Sequence, residues 1–248
     1  MVGTNSKHSY FFILISFFFL ALAVLGFFAS FLRGLEEGLT NLPWILHVHA
    51  LSMMGWLTLV ILQALLILKG KLTWHYGLAG AGFVLITIVI VTGLGLSTNS
   101  LFLDVPAEVK PIIYRLFGLT ITSIIQILVF YLAAMIAVRF SRQAHKRLII
   151  FVSFLILDAA FFRMTWLPGM NGASGPIWPL HLYHLLALTP LFLFDLRTLG
   201  KLHPATLYGT LFIVVVKAFS VWIWNSETWL MGAAQMEKSI GSWWTPLY

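Results

Sequence analysis

Eight ionisable residues interrupt otherwise apolar stretches of this chain: His47, His49, Arg115, Asp158, Arg163, His181, His184 and Lys217. Ionisable groups inside hydrocarbon are costly, so they face a cavity, a partner or a cofactor. The chain has no cysteine, and in the absence of thiolates imidazole is the usual ligand for haem iron, zinc or copper. His181 and His184 are spaced i and i+3 and share a helical face. His49 heads a stripe with Trp56 and Gln63 at seven-residue intervals, which stays on one side of a helix. His47, two residues earlier, must point elsewhere. His49 and His184 are therefore the preferred pair for a haem b or a divalent metal ion, with His181 and His47 as further candidates. Around Asp158, the cations Arg115, Arg163 and Lys217 make a net positive pocket suited to an anion, a quinone oxygen or haem propionates. Asp158 is expected to bond Arg163 or Lys217.

A second histidine group, His75, His145 and His203, falls at the opposite ends of the segments, each where a helix begins. Hydration or bonding to carbonyls is the plainer reading of these three. If they converge, three imidazoles suffice for a metal, which makes them an alternative site.

The elements that must position these groups follow from composition. Hydrophobic residues make up 60% of the 248, charged residues 9%, and the mean hydropathy is +0.95. That leaves too little polar surface to coat a soluble globule, so lipid is the principal solvent. The net charge of +7 does not indicate nucleic acid, because the basic residues lie at segment ends and not on one soluble face. A helix needs about 20 mostly apolar residues to cross hydrocarbon. The spacing predicts seven crossings, at about 10–32, 44–68, 77–97, 111–138, 147–166, 178–194 and 204–224. The first is expected to be a retained signal anchor, being longer than a signal-peptide core, and the sixth, short and carrying Pro190, is expected to be kinked, re-entrant or less tilted than the others.

Basic residues in short loops stay cytoplasmic. Lys7, Lys69, Lys71, Arg139, Arg142, Lys146, Arg147, Arg197 and Lys201 fall on one side, whereas the other carries Arg33, Lys110 and Lys238 among six carboxylates, Glu36, Glu37, Asp104, Glu108, Glu227 and Glu237. The amino terminus is expected inside and the carboxyl terminus outside. Residues 225–248, with Trp229, Trp243, Trp244 and Tyr248, are expected to form an interfacial aromatic tail with a short surface helix. The fold class is an all-α integral membrane protein of one domain.

Two seven-helix comparisons fit poorly. A lysine in the seventh span suggests a retinal protein, but the third span has no acidic counterion. Membrane zinc hydrolases of the progestin-receptor and ceramidase kind use His-x-x-x-His, and here the spacing is His-x-x-His. The stripe from His49 through Trp56 to Gln63, the stretch Leu65 to Gly77 with Gly70 and His75, and His145-Lys146-Arg147-Leu148 with Asp158, Ala159, Ala160 and Arg163 carry a closer likeness. Together with Asp195-Leu196-Arg197, Gly200 and His203-Pro204-Ala205-Thr206, they resemble a family of uncharacterised bacterial seven-helix inner-membrane proteins. The resemblance spans the second to seventh crossings. It implies an inner-membrane location and singles out these residues without implying a reaction.

The residues therefore point first to a haem- or metal-binding redox protein with an outer-facing polar cavity. The second reading is a transporter or receptor for a small organic anion, in which Asp158 titrates. The third is an assembly or scaffold subunit, partnered by other membrane-complex subunits, whose polar residues only join helices. Whether the protein is an enzyme stays open.

Overall fold

The protein is described by a computed structural model over residues 6–37 and 42–245, without the side chains of residues 6–9 and 37. Tyr248 and the side chains of Lys7 and Glu37 lie outside what is described. The regular elements among the described residues are all helices, in the order α1 (Ser6–Glu37), α2 (Trp44–Leu68), α3 (Leu72–Gly77), α4 (Ala79–Leu101), α5 (Lys110–Ala137), α6 (Arg142–Leu155), α7 (Asp158–Arg163), α8 (Trp178–Leu186), α9 (Thr189–Leu199), α10 (Pro204–Asn225) and α11 (Glu227–Gly241), with a short 3-10 turn at Gly172–Ser174. Helices are what apolar chain must form in lipid, where backbone N–H and C=O groups find no water. Among the described residues, six helical stretches are long and apolar enough to cross a membrane: Tyr10–Glu36, Trp44–Leu68, Leu72–Leu101, Lys110–Ala137, Trp178–Leu199 and Pro204–Asn225.

The stretch expected as one span over 147–166 is instead two helices, α6 and α7, each too short to cross alone. Its regular bonding stops at the Ile156–Leu157 step. Leu157 N–H bonds back three residues to Phe154 O, at 3.0 Å, and the same carbonyl accepts the His184 ring at 2.7 Å. A side chain from another helix thus uses a carbonyl that an unbroken helix would need. The sixth span is also divided. Proline has no N–H and cannot serve the carbonyl four residues back, so ahead of Pro190 the chain tightens through Ala187 N–H to His184 O and Leu188 N–H to Leu185 O, both 3.0 Å. The expected kink is present at this point.

α1 lies against α2, α6 and α7, while α5 lies against α4, α6 and α10. Gly26 is what lets α1 approach α7: a methyl group there would stand 2.5 Å from the Ala160 carbonyl oxygen. Small residues commonly permit such backbone contact between membrane helices. The core runs through Phe19, Trp56, Phe151, Phe154, Leu157 and Leu188. Outward positions are also apolar, among them Leu14, Leu51, Leu132, Ile136 and Val215, as a lipid-facing surface requires.

A buried ion pair joins α6 to α9. Arg147 is 1% exposed and Asp195 fully buried. The guanidinium donates from Nε at 3.0 Å and from a terminal nitrogen, and Asp195 also accepts Thr206 Oγ1 at 2.6 Å and the His203 backbone N–H at 3.0 Å. All the lone pairs of the carboxylate that face inward are therefore used. This accounts for the Asp195, His203-Pro204-Ala205-Thr206 and Arg147 portions of the sequence pattern as a helix-joining clamp.

The expected short helix near the carboxyl terminus is α11. Ser226 caps it, accepting Trp229 N–H at 3.1 Å. Trp229 Nε1 donates to Tyr114 O at 2.9 Å, and Glu237 is held by Lys110 at 2.8 Å and by the Tyr114 hydroxyl. Burial alone would raise the Glu237 carboxyl, but the hydrogen bonds from Lys110 and Tyr114 outweigh it and hold the group below its ordinary value.

Candidate functional site

Behind the α6–α7 break lies a cavity of about 380 Å³ lined from α2, α4, α5, α7, α8 and α10. Five of the eight residues singled out in the sequence reach it: His49, Asp158, Arg163, His181 and Lys217. Asp158 is placed at its wall because α7 begins there. Lys217, only 4% exposed, donates to Asp158 Oδ1 at 2.8 Å, and Ser123 Oγ donates to Oδ2 at 3.0 Å. Of the two cations expected to bond Asp158, the partner is therefore Lys217. Arg163 turns away along its own helix, donating to Ala159 O at 2.9 Å, with its guanidinium 4.6 Å over the Phe27 ring.

The hydrogen positions follow from which partners can only accept. A carbonyl oxygen takes the His184 Nε2 proton, so Nε2–H is a donor. His184 Nδ1 stands 2.6 Å from Asp158 Oδ1, close but poorly aligned for a hydrogen bond. His184 is thus held between the Phe154 carbonyl and the Asp158 carboxylate. The ring is fully buried and stacked on Phe154, with centroids 3.8 Å apart. Its ring nitrogens are turned to Phe154 and Asp158, and His184 does not line the cavity that His49 reaches.

His181 differs. Lys217 Nζ, which can only donate, stands 3.4 Å from His181 Nδ1, at the long end of hydrogen-bond range. Nδ1 therefore accepts and the proton sits on Nε2, which is buried with no partner. Across the cavity, Gln126 donates Nε2 to Thr122 O at 3.2 Å, and its Oε1 is also buried with no partner. His49 Nδ1 lies 2.8 Å from Thr92 Oγ1, whose own proton goes to Ile88 O at 2.6 Å. His49 therefore donates from Nδ1 and keeps a lone pair on Nε2. The wall thus presents the paired Lys217 and Asp158, the rings of His181 and His49 and the hydroxyls of Ser97, Ser100, Thr120, Ser123 and Ser220, among apolar side chains.

The other sequence candidates lie outside this wall. Arg115 lies 5.8 Å over the Trp224 ring, its Nε buried without a hydrogen-bond partner. His47 is partly buried on α2 and does not line the cavity. The three histidines of the other level separate as well. His75 and His145 line a second cavity, whereas His203 caps α10, its Nδ1 accepting Ala205 N–H at 3.1 Å. Burial lowers the His203 imidazole, and the nearby Arg147 charge lowers it further. Among the described residues no three His, Asp or Glu side chains are grouped to hold a metal, which corrects the three-histidine alternative.

Ser123, Thr92 and Gln126 were not singled out from the sequence. Their signal was faint: single small polar residues on α4 and α5, each with a bland alternative as a helix-backbone partner.

No family model, curated protein or solved structure matches the chain.

Proposed function

We propose that this is a seven-crossing inner-membrane protein with a cytoplasmic amino terminus, α6 and α7 together making the additional crossing, and that its cavity binds a small organic anion as a transporter or receptor. One observation carries the reading: the Lys217 ammonium is buried on the cavity wall, held by Asp158 at 2.8 Å, with the His181 ring beside it. A buried ammonium on a cavity wall favours an anionic occupant, which can share it with Asp158. His181 Nε2–H supplies a second donor beside the cation, which suits the two oxygens of a carboxylate.

An anion drawn to Lys217 competes with Asp158 for the ammonium. The two interrupted helices border the site, and interrupted helices are a recurrent feature of transporter binding sites. The bias of lysine and arginine toward one set of loops supports the orientation.

The test is a thermal-unfolding panel on the full chain in lipid nanodiscs with short carboxylates from acetate to octanoate. At least one is expected to raise the melting temperature by several degrees in the wild type and not in Lys217→Met. Unchanged curves across the panel would count against anion binding.

A further inference from the structure

The second cavity, about 280 Å³, lies between α1, α2, α3, α4, α5 and α6. Its polar groups are of both kinds: the Lys146 ammonium donates, Gln63 Oε1 accepts, and the Tyr131 hydroxyl can do either. Hydrogen bonding therefore selects no ligand here. Shape and charge do. Along α2 the lining runs from Trp56 to Ile67, about 16 Å at 1.5 Å per residue, and it is mostly apolar, with Val60, Met135 and Ile150 among it. The space is a slot, longer than a compact ion needs. The charge is gathered at one end, where α2 and α5 finish and α3 and α6 begin. Residues 64–82 and 131–150, which pass through this end, hold Lys69, Lys71, Arg139, Arg142, Lys146 and Arg147 and no carboxylate. Among the described residues, Arg147 alone of these cations has an ion-pair partner, Asp195.

Lys146 connects the charge to the slot. It is partly buried and lines the cavity, its Nζ 5.4 Å over the Phe12 ring. Arg142 lies one turn earlier on the same face of α6 and is exposed. A neutral occupant such as a quinone or an alcohol fills the slot and leaves these charges unbalanced. A free phosphate balances them and leaves the slot unfilled. An anion carrying an apolar chain meets both requirements, and basic pockets between membrane helices are recurrent sites for anionic phospholipid headgroups. We infer that this cavity holds an acyl chain of an anionic phospholipid whose phosphate rests on Lys146 and Arg142. The site is separate from the Lys217 cavity: the two share no lining residue.

The test is native mass spectrometry of the full-length protein released from detergent micelles and titrated with dioleoyl phosphatidylglycerol or dioleoyl phosphatidylcholine. One phosphatidylglycerol per chain is expected to bind about fivefold tighter than phosphatidylcholine, the scale of one basic residue at a membrane surface. Lys146→Gln is expected to remove that preference while leaving the melting temperature within a few degrees of wild type. Lys201→Gln, at an exposed cation that does not line the cavity, is expected to keep it. Equal losses in the two variants would overturn the inference, because the charge would then act diffusely. Equal affinity of the wild type for the two lipids would overturn it without reference to any variant. Glycerophosphoglycerol, the headgroup without chains, and palmitate, a chain without phosphate, are each expected to leave the bound lipid in place; displacement by either at the lipid's own concentration would overturn the inference as well.

Discussion

Lys217 Nζ on α10 lies 2.8 Å from Asp158 Oδ1 on α7, and this contact ties the helix break to α10. Removing one member of a buried ion pair strands the other. Lys217→Met is expected to destabilise the fold by about 2 to 4 kcal/mol. Asp158→Asn added to it should recover a substantial part, since asparagine can keep the Ser123 bond. Reversible unfolding in detergent measures both, and additive losses would show that the two residues are not coupled.

Asp195 takes donors from Arg147, Thr206 and the His203 backbone at once. Asp195→Ala leaves a guanidinium of 1% exposure without its carboxylate. The expected loss is about 3 to 5 kcal/mol, seen as a lower unfolding midpoint. A loss below about 1 kcal/mol, the scale of an exposed pair, would show that water reaches Arg147.

Glu237 gives α11 a pH dependence with a definite sign. Its carboxyl titrates lower in the folded chain than in the unfolded one, because Lys110 and Tyr114 hold it against the opposing effect of burial. The stabilising contribution is therefore complete above the ordinary carboxylate range and is lost as pH falls through the lowered folded value. Hydrogen exchange across Glu227–Gly241 should quicken in acid below pH 5. Glu237→Gln should exchange faster already at neutral pH and respond less to acid; an unaltered pH response in that variant would remove Glu237 as the cause.

Gly26→Val places side-chain carbon where the Ala160 carbonyl oxygen stands, 2.5 Å from an added methyl. Backbone cannot yield as a flexible side chain can. The expected cost is about 1 to 3 kcal/mol, with α1 displaced from α7. Gly80→Val, at a glycine with nothing within 4 Å, controls for intrinsic helix propensity and should change little. Equal effects at both positions would mean that α1 and α7 are not in close contact.

Hydropathy fixes where this chain is helical, because in lipid an apolar stretch of sufficient length has no other way to satisfy its backbone. The Pro190 kink was legible for the same local reason, a missing N–H. The break at Ile156–Leu157 was not, since its cause is a histidine thirty residues away that takes the Phe154 carbonyl. The site shows the same division. Ionisable residue types marked His49, Asp158, His181 and Lys217 as belonging to a cavity, whereas helical periodicity assigns a residue to a face and not to a partner. It could not tell that Lys217 would hold Asp158 while Arg163, on the same short helix, turned to Phe27. Nor could it tell that the Phe154 carbonyl would take a ring nitrogen of His184.

The most direct measurement is saturation binding of a radiolabelled carboxylate, chosen from the thermal panel, to purified full-length protein in nanodiscs at neutral pH. One site per chain is expected, with affinity lowered at least tenfold in Lys217→Met and unchanged in Lys110→Met, whose ammonium serves α11. Absence of saturable binding by any carboxylate, or affinity equal in Lys217→Met and wild type, would contradict an anion site built on Lys217.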